Sequence, residues 1–211
     1  MEDIELICKN LSKSYSGKSI FKNLSLSLKS RQSIAVTGRN GSGKSTLIKV
    51  LANLIQASKG QVIIRNSKEE LPKEKWYKKT GLISPYLNLY DELTGLENLE
   101  FFYKLKADDA SGCSERVNYY LQKVNLFEKR NELLKNYSSG MKQRLKLAFA
   151  VMNEPEILFL DEPRSNLDKS GIGIVNELAT AHKANGILVI ATNDEEDKLL
   201  CDDSVNIENY Q

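Results

Sequence analysis

No run of consecutive apolar residues in this sequence exceeds six, Leu147 to Met152, whereas a helix that crosses a bilayer needs about 20. The chain is therefore not expected to span a membrane by itself. The opening Met1-Glu2-Asp3 lacks the basic segment and apolar stretch of a secretory leader, so a cytosolic location is expected. Cysteine is scarce: Cys8, Cys113 and Cys201 are odd in number and far apart, which fits neither a disulfide framework nor metal-ligand spacing. They read as reduced thiols with packing or surface roles. Neither sign of charge dominates, with 30 Lys plus Arg against 28 Asp plus Glu and a net +2. That balance argues against the strong basic field of a dedicated nucleic-acid binder, and no nucleic-acid partner is expected. Repeats and low-complexity segments are absent.

What is present is an ordinary globular composition, 211 residues with 41% hydrophobic and 27% charged, enough for one domain or one domain with an inserted subdomain. Ile4 to Cys8 and Leu24 to Leu28 alternate apolar and polar residues, as half-buried antiparallel strands do. Ser33 to Thr37 is a β-prone run ending at Gly38, after which Leu47, Val50, Leu51 and Leu54 recur at helical spacing. Gln61 to Arg65 and Gly81 to Ser84 read as short strands, the second ended by Pro85. From Thr94 to Leu134 the period turns helical: Thr94-x-x-Glu97 has the form of a capping box, and Val117, Tyr120, Leu121 and Val124 form one face. This predicts an inserted helical subdomain, approximately 86–138. Ser138 can cap a helix striped by Met141, Leu145, Ala148 and Met152, which Pro155 stops. A strand Ile157 to Leu160, a helix from Lys169 to Ala184, a strand Ile187 to Thr192, a short acidic helix and a strand Ser204 to Ile207 follow. Apolar strands alternating with helices predict an α/β fold with a mostly parallel sheet covered on both faces.

Gly38-Arg39-Asn40-Gly41-Ser42-Gly43-Lys44-Ser45 matches the phosphate-loop pattern between a strand and a helix. Its glycines let backbone amides turn inward as an anion-binding nest at a helix N-terminus. Lys44 would reach the β and γ phosphates, Ser45 would bind Mg²⁺ and Thr46 could donate to a phosphate oxygen; the alternative is a purely structural glycine turn. The strand ending in Asp161-Glu162 would aim both carboxylates at that site, Asp161 for Mg²⁺ and Glu162 as general base for the attacking water. An apolar strand ending in acids is common, and only its pairing with the loop makes it informative.

In chain order, Tyr15, the Gly38 to Ser45 loop, Tyr137-Ser138-Ser139-Gly140-Met141-Lys142-Gln143-Arg144, Asp161-Glu162-Pro163 and Ser165-Asn166-Leu167-Asp168 resemble the motifs of an ABC transporter nucleotide-binding subunit. Tyr90-Asp91-Glu92-Leu93-Thr94 with Glu97-Asn98-Leu99 is also similar to that family's helical-subdomain entrance. The resemblance covers nearly the whole length. It implies a P-loop NTPase core with an N-terminal antiparallel β subdomain, ATP and Mg²⁺ as cofactors, and a head-to-tail dimer with a second ATPase subunit, expected to be a homodimer. Two ATP molecules would lie between the subunits. Ser138 and Gly140 would contact the γ-phosphate held by the partner's loop, Asp168 would couple the two sites, and Tyr15 would stack on adenine unless it is a packed core tyrosine. A polytopic membrane permease subunit would be the second partner, placing the chain peripherally on the cytoplasmic face of the membrane. The compact length is similar to heme-exporter or small ABC-2-type ATPases.

The sequence departs from the family's pattern in several places. In the signature the usual Leu is Tyr137, the first Gly is Ser139 and the Gln is Met141. The glutamine expected after the Gly81 to Ser84 strand has no counterpart, because Ser84 or Pro85 falls there. Thr192-Asn193-Asp194 replaces the usual switch histidine with Asn193, which can donate a hydrogen bond to a γ-phosphate but cannot carry an imidazole's proton. Slower hydrolysis is expected. His182, the only histidine, lies 11 residues earlier on a helix and is no obvious substitute. The basic stretch Lys73 to Lys79 with Trp76 and Tyr77 reads as a solvated loop with its aromatics packed downward. The expected function is an energy-coupling ATPase subunit. The alternatives are a soluble nucleotide switch with little or no hydrolysis and a soluble ABC protein acting on ribosomes or DNA, which would usually carry two cassettes or a coiled-coil insertion.

Overall fold

The computed structural model describes residues 3–211; Met1 and Glu2, with the reading of the chain's opening that rests on them, lie outside the described residues. β1 (Ile4–Tyr15) and β2 (Lys18–Lys29) form an antiparallel hairpin in which Tyr15 faces Lys18. Its two-residue turn, Ser16-Gly17, has φ of 47° and 82°, the doubly left-handed form whose twist suits a hairpin. Both strands run well beyond the alternating segments that announced them. Extra residues interrupt the alternation where the register shifts, and Asn10 and Asn23, at φ 50° and 52°, sit at those shifts as β-bulges do. β3 (Ser33–Thr37) is followed by the glycine loop and α1 (Lys44–Leu51). β4 (Lys59–Asn66) completes the small sheet in the order β2-β1-β4.

α2 (Trp76–Lys79) is a single turn where a loop was expected, because buried Trp76 anchors it, its indole donating to the Leu71 carbonyl at 2.9 Å. The expectation that both aromatics pack downward fails at Tyr77, which is 53% exposed; one helical turn cannot place adjacent residues on the same face. The stretch is also less cationic than it reads, since Lys78 pairs with Asp108 and Lys79 with Glu156 at 2.6 Å. β5 (Thr80–Ile83), α3 (Gly95–Lys106), α4 (Cys113–Lys123), α5 (Ser139–Val151) and β6 (Ile157–Asp161) come next. The Thr94 capping box at the start of α3 is present in full. α6 (Lys169–Lys183), β7 (Ile187–Ala191), α7 (Glu195–Lys198) and β8 (Asp203–Asn206) end the alternation.

β5-β6-β7-β3-β8 form one sheet in which every neighbouring pair is parallel. Adjacent residues of β6 point to opposite faces and into different cores. Leu158 and Leu160 join a cluster with Leu99 of α3, Val117 and Leu121 of α4 and Leu145 of α5. Ile157 and Phe159 join the other, with Leu6, Phe21 and Leu47 from β1, β2 and α1. A strand buried on both faces must be apolar throughout, which is why β6 and β7 read as unbroken apolar runs. Among the described residues no helix is long and apolar enough to cross a membrane.

A candidate nucleotide site at the ends of three strands

β6, β7 and β3 are neighbours, and their register brings Asp161, Ala191 and Val36 level. The segments that leave their carboxyl ends therefore meet. The loop after β3 carries Gly38, Gly41 and Gly43 at φ of 138°, 80° and 108°. Gly43 is irreplaceable on two counts: its φ is left-handed, and a Cβ there would lie 2.4 Å from Ile20 Cγ2. The same contact seats β2 against the loop and brings the Tyr15 end of the hairpin beside it. Tyr15 is 48% exposed with Lys13 Nζ 4.6 Å from its ring centre, so the packed-core alternative for it does not hold.

Lys44 is 6% exposed, and its ammonium donates to the Gly38 and Arg39 carbonyls at 2.7 and 3.3 Å and to Asn193 Oδ1 at 3.0 Å. Glu162 Oε1 lies 3.7 Å away. The Asn193 amide donates in turn to Asn40. Lys44, Asn40, Glu162 and Asn193, scattered over the sequence, thus share one locus. Ser45 Oγ donates to Asp161 Oδ1 at 3.0 Å, while Asp161 Oδ2 and Ser42 Oγ are buried with no hydrogen-bond partner. Buried orphan oxygens are costly, and an orphan carboxylate oxygen beside a serine hydroxyl fits Mg²⁺, which takes hard oxygen ligands. Among the described residues no group of three His, Cys, Asp or Glu could hold a metal alone; Ser45 and Asp161 suit an ion that also binds phosphate oxygens and water. No hydrogen bond of Thr46 ties it to another part of the site among the described residues.

Burial raises the pKa of Asp161, opposed by the Ser45 hydrogen bond and by Lys49 and Lys44. It also raises that of Glu162, opposed by Lys44. A base tuned upward accepts a proton more readily at neutral pH. Glu162 sits at φ 50°, its N–H donating to the Ala191 carbonyl at 2.9 Å, a strained backbone held by the neighbouring strand.

Other expected residues lie apart from this cluster. Ser138 caps α5, its hydroxyl accepting from Met141 N at 3.2 Å, and Asp168 caps α6, accepting from Gly171 N at 2.8 Å. A Cβ on Gly140 would fall 3.0 Å from the Asn166 carbonyl, so the start of α5 abuts the segment leading to α6. Among the described residues no hydrogen bond or ion pair links Ser138, Gly140 or Asp168 to the phosphate loop in the same chain. His182 is a core residue, buried against Gly186 with Nε2 3.0 Å from the Ile187 carbonyl, and burial pushes its pKa down to about 4.

Three contributors escaped sequence reasoning. Buried Ser84 interacts with Asp161 and lowers its pKa, supplying a hydroxyl where a glutamine amide was missed. Tyr137, in place of the expected Leu, is buried and donates to the Lys129 carbonyl at 2.7 Å. Its hydroxyl takes the space that a Cβ on Gly95 would fill, 2.3 Å away, so a glycine at the head of α3 was the available clue. Arg164, directly after Pro163, is the third.

Residues 21–165 match the family model described as ABC transporter. The chain belongs to the ABC transporter family. It is 32% identical over 199 residues to the linearmycin resistance ATP-binding protein LnrL of Bacillus subtilis, covering 93% of this chain and 64% of the relative. It is 34% identical over 184 residues to the bacitracin transport ATP-binding protein BcrA of Enterococcus faecalis, covering 86% and 58%. The chain thus spans about three fifths of these curated relatives. A solved ATP-binding subunit of an ABC transporter superposes with a TM-score of 0.87 at 25% identity, covering 97% of this chain and 86% of that one. The cassette MJ0796, solved as a dimer in a post-hydrolysis state with ADP and Pi, gives 0.83 at 23% identity, with 96% and 95% coverage, and bears on the fold alone.

Proposed function

We propose that this chain is the ATP-binding and ATP-hydrolysing subunit that energises an ABC transporter by ATP-driven dimerisation, with 86–138 as its helical subdomain. The observation that carries this reading is the meeting of Lys44, Ser45, Asp161, Glu162 and Asn193 at the ends of adjacent parallel strands. The inward-turned loop and Lys44 bind and orient the phosphates. Mg²⁺, held by Ser45 and Asp161, would neutralise charge on the phosphate oxygens. Glu162 takes the proton of the attacking water. Asn193 donates to the γ-phosphate without carrying charge, which keeps turnover slow.

Beyond capping and packing, Ser138, Gly140 and Asp168 reach nothing of the phosphate loop in their own chain and would meet nucleotide only against a second copy, which supports the dimer. A permease partner at the cytoplasmic face of the membrane is supported by a groove of about 490 Å³ between α2, α3 and β5, lined by Leu54, Trp76, Tyr77, Leu82, Phe102 and Leu105. Exposed apolar surface of this kind marks interaction sites. The test is ATP turnover and light scattering of wild type and Glu162→Gln. We expect the variant to lose at least about 100-fold in kcat and to dimerise with ATP. Equal turnover would remove Glu162 as the base, and a wild type that binds ATP without turnover would favour the nucleotide switch. Copurification of a stoichiometric polytopic membrane protein from detergent-solubilised membranes supports the transporter reading; recovery with ribosomes, DNA or nothing overturns it.

A further inference from the structure

We propose that Arg164 is a positioning residue that locks the Asn193 loop to the loop carrying Glu162, so that the short amide of Asn193 stays within reach of its target. The inference rests on the hydrolytic reading above only for its kinetic consequence. The Arg164 side chain is 8% exposed and lies among three acids of the segment that follows Asn193. Its Nε is 2.7 Å from Asp197 Oδ1, an ion pair whose alignment is not that of a hydrogen bond, and its Nη1 reaches Glu196 at 2.6 Å and Asp194 at 3.9 Å. A further bond, to Asn176 Oδ1 at 2.9 Å, ties the guanidinium to α6. Asp197 is buried, and its other oxygen accepts from the Thr192 hydroxyl at 2.7 Å. That hydroxyl accepts from Asp194 N at 2.9 Å. Asn193 lies between the two residues so bound. A continuous path therefore runs from Arg164, two residues past Glu162, to both neighbours of Asn193.

The residue types explain why such a clamp matters. Asn193 is exposed, and its reach ends two atoms beyond Cβ, where it accepts from Lys44 at 3.0 Å and donates to Asn40. Hydrogen bonds weaken steeply beyond about 3.2 Å, so a displacement of about 1 Å forfeits the contact. The fork of an arginine fixes direction as well as distance, here through hydrogen bonds to Glu196 and Asn176 with the buried Asp197 carboxylate in ion-pair range.

Arg164→Gln, Arg164→Lys and Thr192→Val are measured by hydrogen exchange over residues 191–198, by kcat and KM for ATP, and by thermal melting. We expect Arg164→Gln to speed exchange in that segment selectively and to lower kcat about tenfold with KM for ATP within about twofold. Arg164→Lys should recover part of both. In an Asn193→Ala background, Arg164→Gln should cost no further kcat, because nothing is left to position. Should Arg164→Gln fail to fold, Thr192→Val severs the same path and must reproduce the exchange and kcat effects. Unchanged exchange at 191–198, or a kcat loss that is additive with Asn193→Ala, overturns the proposal. A wild type without turnover whose 191–198 exchange nonetheless responds to Arg164→Gln would sink the hydrolytic reading while keeping the clamp.

Discussion

At the scale of single residues, His182 and Asn193 have exchanged the parts their chemistry suggests. The imidazole sits in the core, where burial lowers its pKa to about 4 from 6.5, and the neutral amide stands at the phosphate loop. Below pH 6.5 the unfolded chain binds a proton at His182 that the folded chain refuses, so stability falls with pH through that window and levels off near 4. The difference amounts to about 3 kcal/mol across the window. Urea unfolding at pH 7.5 and 4.5 should show a steeper acid loss for wild type than for His182→Gln. Asp161, Glu162 and Asp197 have raised pKa values and push stability the opposite way, and subtracting the variant cancels them. Equal acid losses would mean that the histidine is not buried neutral. For Asn193→His we expect faster ATP turnover, read by phosphate release; no gain would mean that an imidazole is not what limits this site.

Among elements, those with a strong local signal were legible and those defined by tertiary contact were not. The α3 cap was readable because Thr94 and Glu97 satisfy each other's backbone amides within four residues. The phosphate loop was readable because its glycines and lysine are contiguous. The full lengths of β1 and β2 were not, since bulges at Asn10 and Asn23 shift the side chains out of phase. Nor was the Trp76 turn, which exists because a distant core receives the indole. The parts played by Ser84 and Arg164 depend on partners 77 and more than 30 residues away respectively for their key contacts, Ser84 with Asp161 and Arg164 with Asp197. The head of α3 yields a cycle that checks this packing. Gly95→Ala should cost about 1 to 3 kcal/mol against the Tyr137 hydroxyl, and in a Tyr137→Phe background the penalty should shrink by at least about 1 kcal/mol. Denaturant midpoints decide it: an unshrunk penalty would place the strain elsewhere.

For the whole molecule, two cores share one sheet, and the site lies at the rim where both meet. Burial governs the acids at that rim, and it governs the thiols elsewhere in the molecule as well. Cys8 and Cys201 have their thiols pushed up to about 12 by burial, which leaves little thiolate to react. Folded protein at pH 8 should therefore be alkylated by iodoacetamide at Cys8 and Cys201 far more slowly than unfolded protein, as mass spectrometry of tryptic peptides would show; equal rates would mean that the core opens readily.

The oxygens of Ser138 and Asp168 each occupy one amide, Met141 N and Gly171 N, at the starts of α5 and α6. Each acts as a placeholder at one amide that the chain supplies to itself, partly filling a positive helix end while it is alone. A docking phosphate or a second copy would therefore enter by exchange, trading an internal acceptor for an external one at little change in hydrogen-bond count. At those two amides the resting chain is pre-filled, and small anions at ordinary concentration gain little by competing for them; what displaces the placeholders must bring several contacts at once.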